Sequence, residues 1–234
     1  MVTAARMESI VILAVTKMHA GMCTAGLTQR GEWLRPVRDF GNVSLRDVSY
    51  PNGNLMRCFD IAQIPIIKRR PAGPHIEDAV ADFNHYQPRL AAQIGPGERG
   101  AWLRAHAEDV VTAARQVYQQ HERSLALVKV KEVSATMKID SYSSKLEMKV
   151  WAEELGLPRP VPCTDVHWRA LGRKLLPNGG LKNMEWPELS ALLGCDEVYL
   201  SLGLARQFEG EYWPLVVGVH TVPAFDVDID IRNL

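Results

Sequence analysis

The side chains best suited to chemistry in this sequence are cations and an indole placed close together near its front. Trp33 and Arg35 stand two apart in the stretch EWLRPVRD, with Arg30 just before it and Arg38 at its end. Lys68, Arg69 and Arg70 form a basic run at the end of a later apolar stretch. Residues two apart in an extended strand share a face. Guanidinium and ammonium groups contact phosphates and an exposed ring stacks on a base, so this combination points to a groove for a polynucleotide strand. The alternative places Trp33 in the core with Arg35 lying over it. A second cationic set, Arg169 and Arg173 with Lys174, recurs on one side of a helical stretch. It reads either as a second phosphate-contact patch or as charge complementing the carbonyl end of that helix.

Other chemistry is poorly represented. The sequence contains no GxSxG, HExxH, Walker loop or GxGxxG, so it reads as a non-enzymatic protein with no cofactor. GPGERG (residues 95–100) could cradle an anion ahead of a helix but lacks the Lys and Ser/Thr of a phosphate loop, so a linker bend is the simpler reading. His220 and His85 each stand near aromatic residues and read as structural, hydrogen-bonded histidines. Four cysteines are scattered singly, and Cys163 with His167 lacks a second pair, so no metal site and no disulfide framework is expected.

The elements that must position these residues are mostly strands. The apolar, β-branched run at 9–15 is short enough for a buried strand. A turn leads to MCTAGLTQRG and then to EWLRPVRD, where Pro36 argues for a sheet edge or a bulge. YPNGN (50–54) is a turn, and residues 56–70 are a long strand interrupted at Pro65. Residues 71–100 are rich in Pro and Gly and read as a connector. Leu103, Ala107, Val110, Ala114 and Val117 then recur at three- and four-residue steps, predicting one helix over 98–122. Further alternating strands follow at 124–140 and 145–152, then a helix capped by Thr164 and a short helix opened by Trp186-Pro187. Two apolar strands come next, and DVDID (226–230) reads as an edge strand with an acidic, repulsive face.

Composition sets the outer bounds. The 234 residues carry 27 basic and 27 acidic side chains and are 47% hydrophobic, which excludes general disorder. No run of about 18 apolar residues is present, so no membrane span and a cytoplasmic location are expected. Neutrality hides a gradient: residues 1–75 hold ten Lys/Arg against five Asp/Glu, and residues 196–234 hold two against seven. Either one face attracts polyanions, or the two ends neutralise each other.

Short strands bent by glycine and interrupted by helices predict a mainly β fold with helical inserts: two OB-like small β-barrels joined by a helix. The expected organisation is a barrel over 1–95, a connecting helix over 96–122 and a second barrel with a helical insert over 123–234. ILAVTKMHAGMCTAGLTQRGEWLRPV (12–37), TDVHWRALGRKL (164–175) and the pair VYLSLGLARQF and YWPLVVGVHTVP (198–208, 212–223) carry a resemblance. Together they resemble the bacterial dual OB-containing domain family. The resemblance implies two OB barrels, nucleic-acid binding (DNA or RNA) and a setting in bacterial conflict or defence systems. The functional expectation is binding of single-stranded or structured nucleic acid. The competing expectations are a subunit that recognises a protein partner of the same system, and an enzyme with an unrecognised site.

Overall fold

A computed structural model describes residues 5–18, 21–140 and 142–230. The chain forms two compact units: the residues up to Gly95 with Glu122–Leu125, and Pro96–His121 with the residues from Ala126 onward.

The first unit is built from β1 (Arg6–Met18), β2 (Gly21–Thr28), β3 (Trp33–Val37), β4 (Asp60–Arg69), β5 (Asp78–Ala81) and β6 (Arg89–Gln93). The apolar run at 9–15 lies inside β1, whose length lets it pair with β2 on one side and β4 on the other. Because β1 has both neighbours, the order β1-β2-β3-β5-β4 returns on itself and closes a five-stranded barrel, with β6 added outside β4. β3 and β5 run parallel and all other pairs antiparallel. This closed Greek-key circuit is the OB arrangement. Gly26 makes the tight β1–β2 approach possible, since a Cβ there would sit 2.0 Å from the Val11 carbonyl oxygen.

Several expectations change here. The Pro/Gly-rich segment 71–100 contains β5 and β6, so the barrel is closed by a stretch that reads as connector. β4 passes through Pro65 without a break. β3 is flanked by β2 and β5 instead of lying at an edge. Pro36 is accommodated because β2 pairs only with Trp33 and Leu34, leaving the later residues of β3 to β5 alone. Asp60 anchors the turn 50–54, accepting from the Tyr50 hydroxyl at 2.8 Å and from Gln93 Nε2 at 2.6 Å.

The second unit holds α1 (Pro96–His106), α2 (Val110–Ala114), a π-helical turn (Arg115–Gln119), β7 (Leu125–Val130), β8 (Ser134–Ile139), β9 (Leu146–Trp151) and β10 (Val161–Pro162). It continues with α3 (Val166–Leu175), β11 (Gly180–Met184), α4 (Trp186–Leu193), β12 (Glu197–Leu204) and β13 (Pro214–Val222). The single helix expected over 98–122 is broken at Ala107–Asp109, because Glu108 leaves the helix to bridge Val128 and Asp109 restarts it as an N-cap. The strands form two sheets, β10-β9-β8-β11 and β13-β12-β7. A parallel bridge between Cys163 and Val216 links β10 to β13. The neighbour order therefore repeats the circuit of the first unit, with its first strand split into β7 and β8.

Trp168, Val198, Leu200 and Met137 are fully buried at the centre of this unit. α3 lies close on β9 through Gly172, where a Cβ would meet Met148 Sδ at 2.5 Å. The cap of α3 is Asp165, which accepts from His167 N–H at 2.8 Å, instead of Thr164. Asp165 also accepts from Val219 N–H, tying the helix to β13. α4 ends at Gly194 in the left-handed region that glycine favours. The segment 226–230 forms no strand, so the edge-strand expectation fails there.

Gly26→Ala tests the closure of the first barrel. Its new Cβ must displace backbone, so the substitution should cost about 3 kcal/mol, read as a lowered urea midpoint with an unchanged slope.

Candidate functional site

The strand face expected to form a groove is closed. No residue of β2 or β3 is exposed. The segment after β3 folds back on β2, where the Met22 N–H donates to the Val43 carbonyl at 2.8 Å. Trp33 retains 9% of its accessible surface and Arg35 retains 7%. The expectation that Trp33 and Arg35 line an open groove is therefore corrected: both point into the covered interior of a central strand.

Arg35 is held there by charge. Its Nε donates to Asp78 Oδ1 at 2.6 Å, and the two residues are direct partners in the parallel β3–β5 register. Burial alone would favour a neutral guanidine, but Cys23, Asp78 and Glu77 outweigh it and leave the Arg35 pKa raised. The Arg35 N–H donates to the Glu77 carbonyl at 2.9 Å. The buried Glu77 carboxylate accepts from Ser124 N–H, Ser124 Oγ and Leu125 N–H, tying the segment 122–125 into the unit.

The other cations of the front form two clusters, one at each end of β3. Arg38 makes a two-pronged contact with Asp47, both bonds 2.7 Å, and reaches Asn84 Oδ1 at 2.8 Å. Its guanidinium also stands 5.9 Å from the Phe83 ring centre. Burial pushes the Asp47 carboxyl upward, but Arg38 and the N–H and hydroxyl of Ser44 more than reverse this, so its pKa lies below the ordinary value. Arg70 donates to the Arg38 carbonyl at 2.9 Å and to Asp39, and Lys68 Nζ lies 4.0 Å from the Asp39 carboxylate. Arg30 and Arg69 converge on Glu32 at 3.2 and 3.4 Å. Among the described residues, Asp39 and Glu32 are each shared by two of these cations. Each cluster thus keeps a positive charge in excess, held by exposed pairs worth little individually.

Two rings stand in this setting that the sequence reading did not single out. Phe40 is 87% exposed, directly after the Asp39 that holds Arg70. Tyr86 is 52% exposed, two residues after the Asn84 bonded to Arg38. The available signal was local: DFGN places an aromatic residue in a polar turn just past a strand, where alternation offers it no inward direction.

Arg169 and Arg173 belong to the second unit. Arg169 Nη1 donates to the Leu146 carbonyl at 3.2 Å, and Arg173 Nη2 to the Ser144 carbonyl at 3.4 Å. Burial, with Arg173 beside it, lowers the Arg169 pKa. These two and Lys174 line one cleft of about 350 Å³. His220 Nε2 lies 3.0 Å from Ser201 Oγ between β13 and β12, with both residues buried. The Cys163 thiol is pushed well up by burial, which makes it a poor nucleophile. Among the described residues no group of three or more His, Cys, Asp or Glu could hold a metal ion. None of their helices is long and apolar enough to cross a membrane.

The closed circuit with parallel β3 and β5, and rim loops carrying cations and rings, defines an OB-type barrel protein. The chain belongs to the dual OB-containing domain family, whose sequence profile matches residues 8–219. No curated protein and no solved structure matches it.

Two predictions follow from the ion pairs. Asp78→Ala should cost about 3–5 kcal/mol by stranding a buried guanidinium, and Arg35→Met combined with Asp78→Leu should cost less, both read from urea unfolding. Because the folded pKa of Asp47 is depressed, its contribution is complete above the unfolded value of about 4 and is lost as pH falls through the folded one. Asp47→Asn should therefore be less stable than the parent at neutral pH. It should also lose less stability on acidification, seen by comparing urea midpoints at pH about 7 and about 3.

Proposed function

We propose that this chain binds single-stranded or structured nucleic acid through the rim of its first barrel, within the bacterial defence setting implied by the family resemblance. The observation that carries this reading is the exposed Phe40 directly after the Asp39 that holds Arg70 and Lys68, with the exposed Tyr86 two residues after the Asn84 bonded to Arg38. Phe40 and Tyr86 supply stacking surfaces. Lys68, Arg69, Arg70 and Arg30 supply phosphate contacts by exchanging Asp39 and Glu32 for phosphodiester oxygens. Arg38 is already bonded to Asp47 and acts by positioning the two loops. Arg169 and Arg173 offer a second phosphate-contact patch in the second unit. Trp33 and Arg35 hold the barrel together and touch no ligand.

Each of these cations must exchange a carboxylate for a phosphate, so few counterions are released and the salt dependence should be shallow. Phe40→Ala should leave stability within about 0.5 kcal/mol of the parent. It should weaken binding of a labelled oligothymidylate or oligouridylate by about 1–3 kcal/mol. Lys68→Ala should lower affinity and reduce the salt slope by about 1. Fluorescence anisotropy at two salt concentrations measures both effects. Unchanged affinity in both variants, or no binding at micromolar protein, would overturn this reading. Loss of a copurifying protein in the same variants would then favour an interaction subunit.

A further inference from the structure

The acidic segment near the end of the chain does not extend a sheet. Residues 226–230 run along the basic side of α3, so that Arg169, Arg173 and Lys174 form one wall of the cleft and Val227, Asp228, Ile229 and Asp230 the other. The attachment is apolar. The Phe225 ring packs edge-on against the buried Trp168 ring at 5.8 Å, and its N–H donates to the Thr221 hydroxyl at 3.1 Å. Val227 is buried and Ile229 half-buried, whereas Asp226, Asp228 and Asp230 are exposed. Alternate residues thus hold the segment down while the acids between them stay at the surface beside three cations.

Carboxylates at every second residue, Asp226, Asp228 and Asp230, set a row of exposed negative charge along the segment. The arrangement imitates a bound polyanion. Edge protection does not explain it, because among the described residues the segment pairs with no strand.

We propose that residues 225–230 form an intramolecular strap that narrows a polyanion-binding cleft along α3, and that a nucleic-acid strand competes with it for Arg169, Arg173 and Lys174. For the nature of the ligand this rests on the function proposed above; the strap's hold on the cleft does not. Neutralising the strap then exposes the cleft, and removing the cations releases the strap.

Two measurements test it on the full chain. Asp228→Asn with Asp230→Asn should bind a labelled oligothymidylate about three- to tenfold more tightly than the parent at low salt. Adding Arg173→Gln to that variant should return affinity towards the parent value. Independently of any ligand, Arg169→Gln with Arg173→Gln should speed hydrogen exchange at the amides of 225–230 while leaving β12 and β13 protected. Unchanged affinity in the aspartate variant together with unchanged exchange in the arginine variant overturns the strap, and a Phe40→Ala defect would then still stand for the first-barrel reading. Should no variant bind the oligonucleotide, inorganic polyphosphate becomes the probe. Tighter polyphosphate binding by the aspartate variant keeps the strap although the nucleic-acid reading falls, and equal binding overturns both.

Discussion

The contact between Arg35 and Asp78 is the constraint around which the first barrel is arranged. Two opposite charges are withdrawn from water between parallel strands, and neither could stay there without the other. A pair of this kind adds little net stability but strongly penalises every register that separates its members. It therefore fixes β3 against β5, the one parallel contact of the barrel and the step that closes it. The preceding residue, Glu77, binds the returning segment 122–125 through three donors. One short stretch of sequence thus sets strand register, barrel closure and the path of the chain back to the barrel.

That constraint decides which cations remain for a ligand. An arginine that neutralises a buried aspartate cannot also meet a phosphate, and a buried tryptophan cannot meet a base. The rim behaves differently because its pairs are open to solvent. Arg70 and Lys68 on Asp39, and Arg30 and Arg69 on Glu32, are attractions that water already weakens. Replacing one of these carboxylates with a phosphate changes little in solvation, so the exchange is cheap in either direction. In the proposed function, affinity would depend mainly on stacking, for which Phe40 stands 87% exposed.

Much of the architecture was legible in periodicity. The β1 run, the alternation of Leu146, Met148 and Val150 in β9, and the Pro187 and Gly194 boundaries of α4 are local signals that tertiary packing reinforced. The resemblance carried by WLRPV, LSLGL and GVHT led to the family whose profile matches residues 8–219. The misreadings share a physical origin. β5 is a four-residue strand, too short for a periodic signature, and it becomes a strand only because β3 and β4 flank it. A helical pattern continued across 107–109 because alternation cannot show that Glu108 will bridge another strand. The burial of Trp33 and Arg35 depended on Asp78, 43 residues beyond Arg35, and no spacing rule connects them.

The charge gradient along the sequence resolves in the same local way. The basic front is met by Glu32, Asp39, Asp47 and Asp78, all from its own unit, while the acidic end lies beside the α3 cations of the second. Among the described residues, charge is thus balanced in small clusters within each unit. This matters for binding because counterion release counts the phosphates that replace existing partners, and total charge does not enter. Under the proposed function, a neutral protein built this way would hold a polyanion where the displaced carboxylates are exposed, as at Asp39 and Glu32. Where they are buried, as at Asp78, the same cations serve the fold alone.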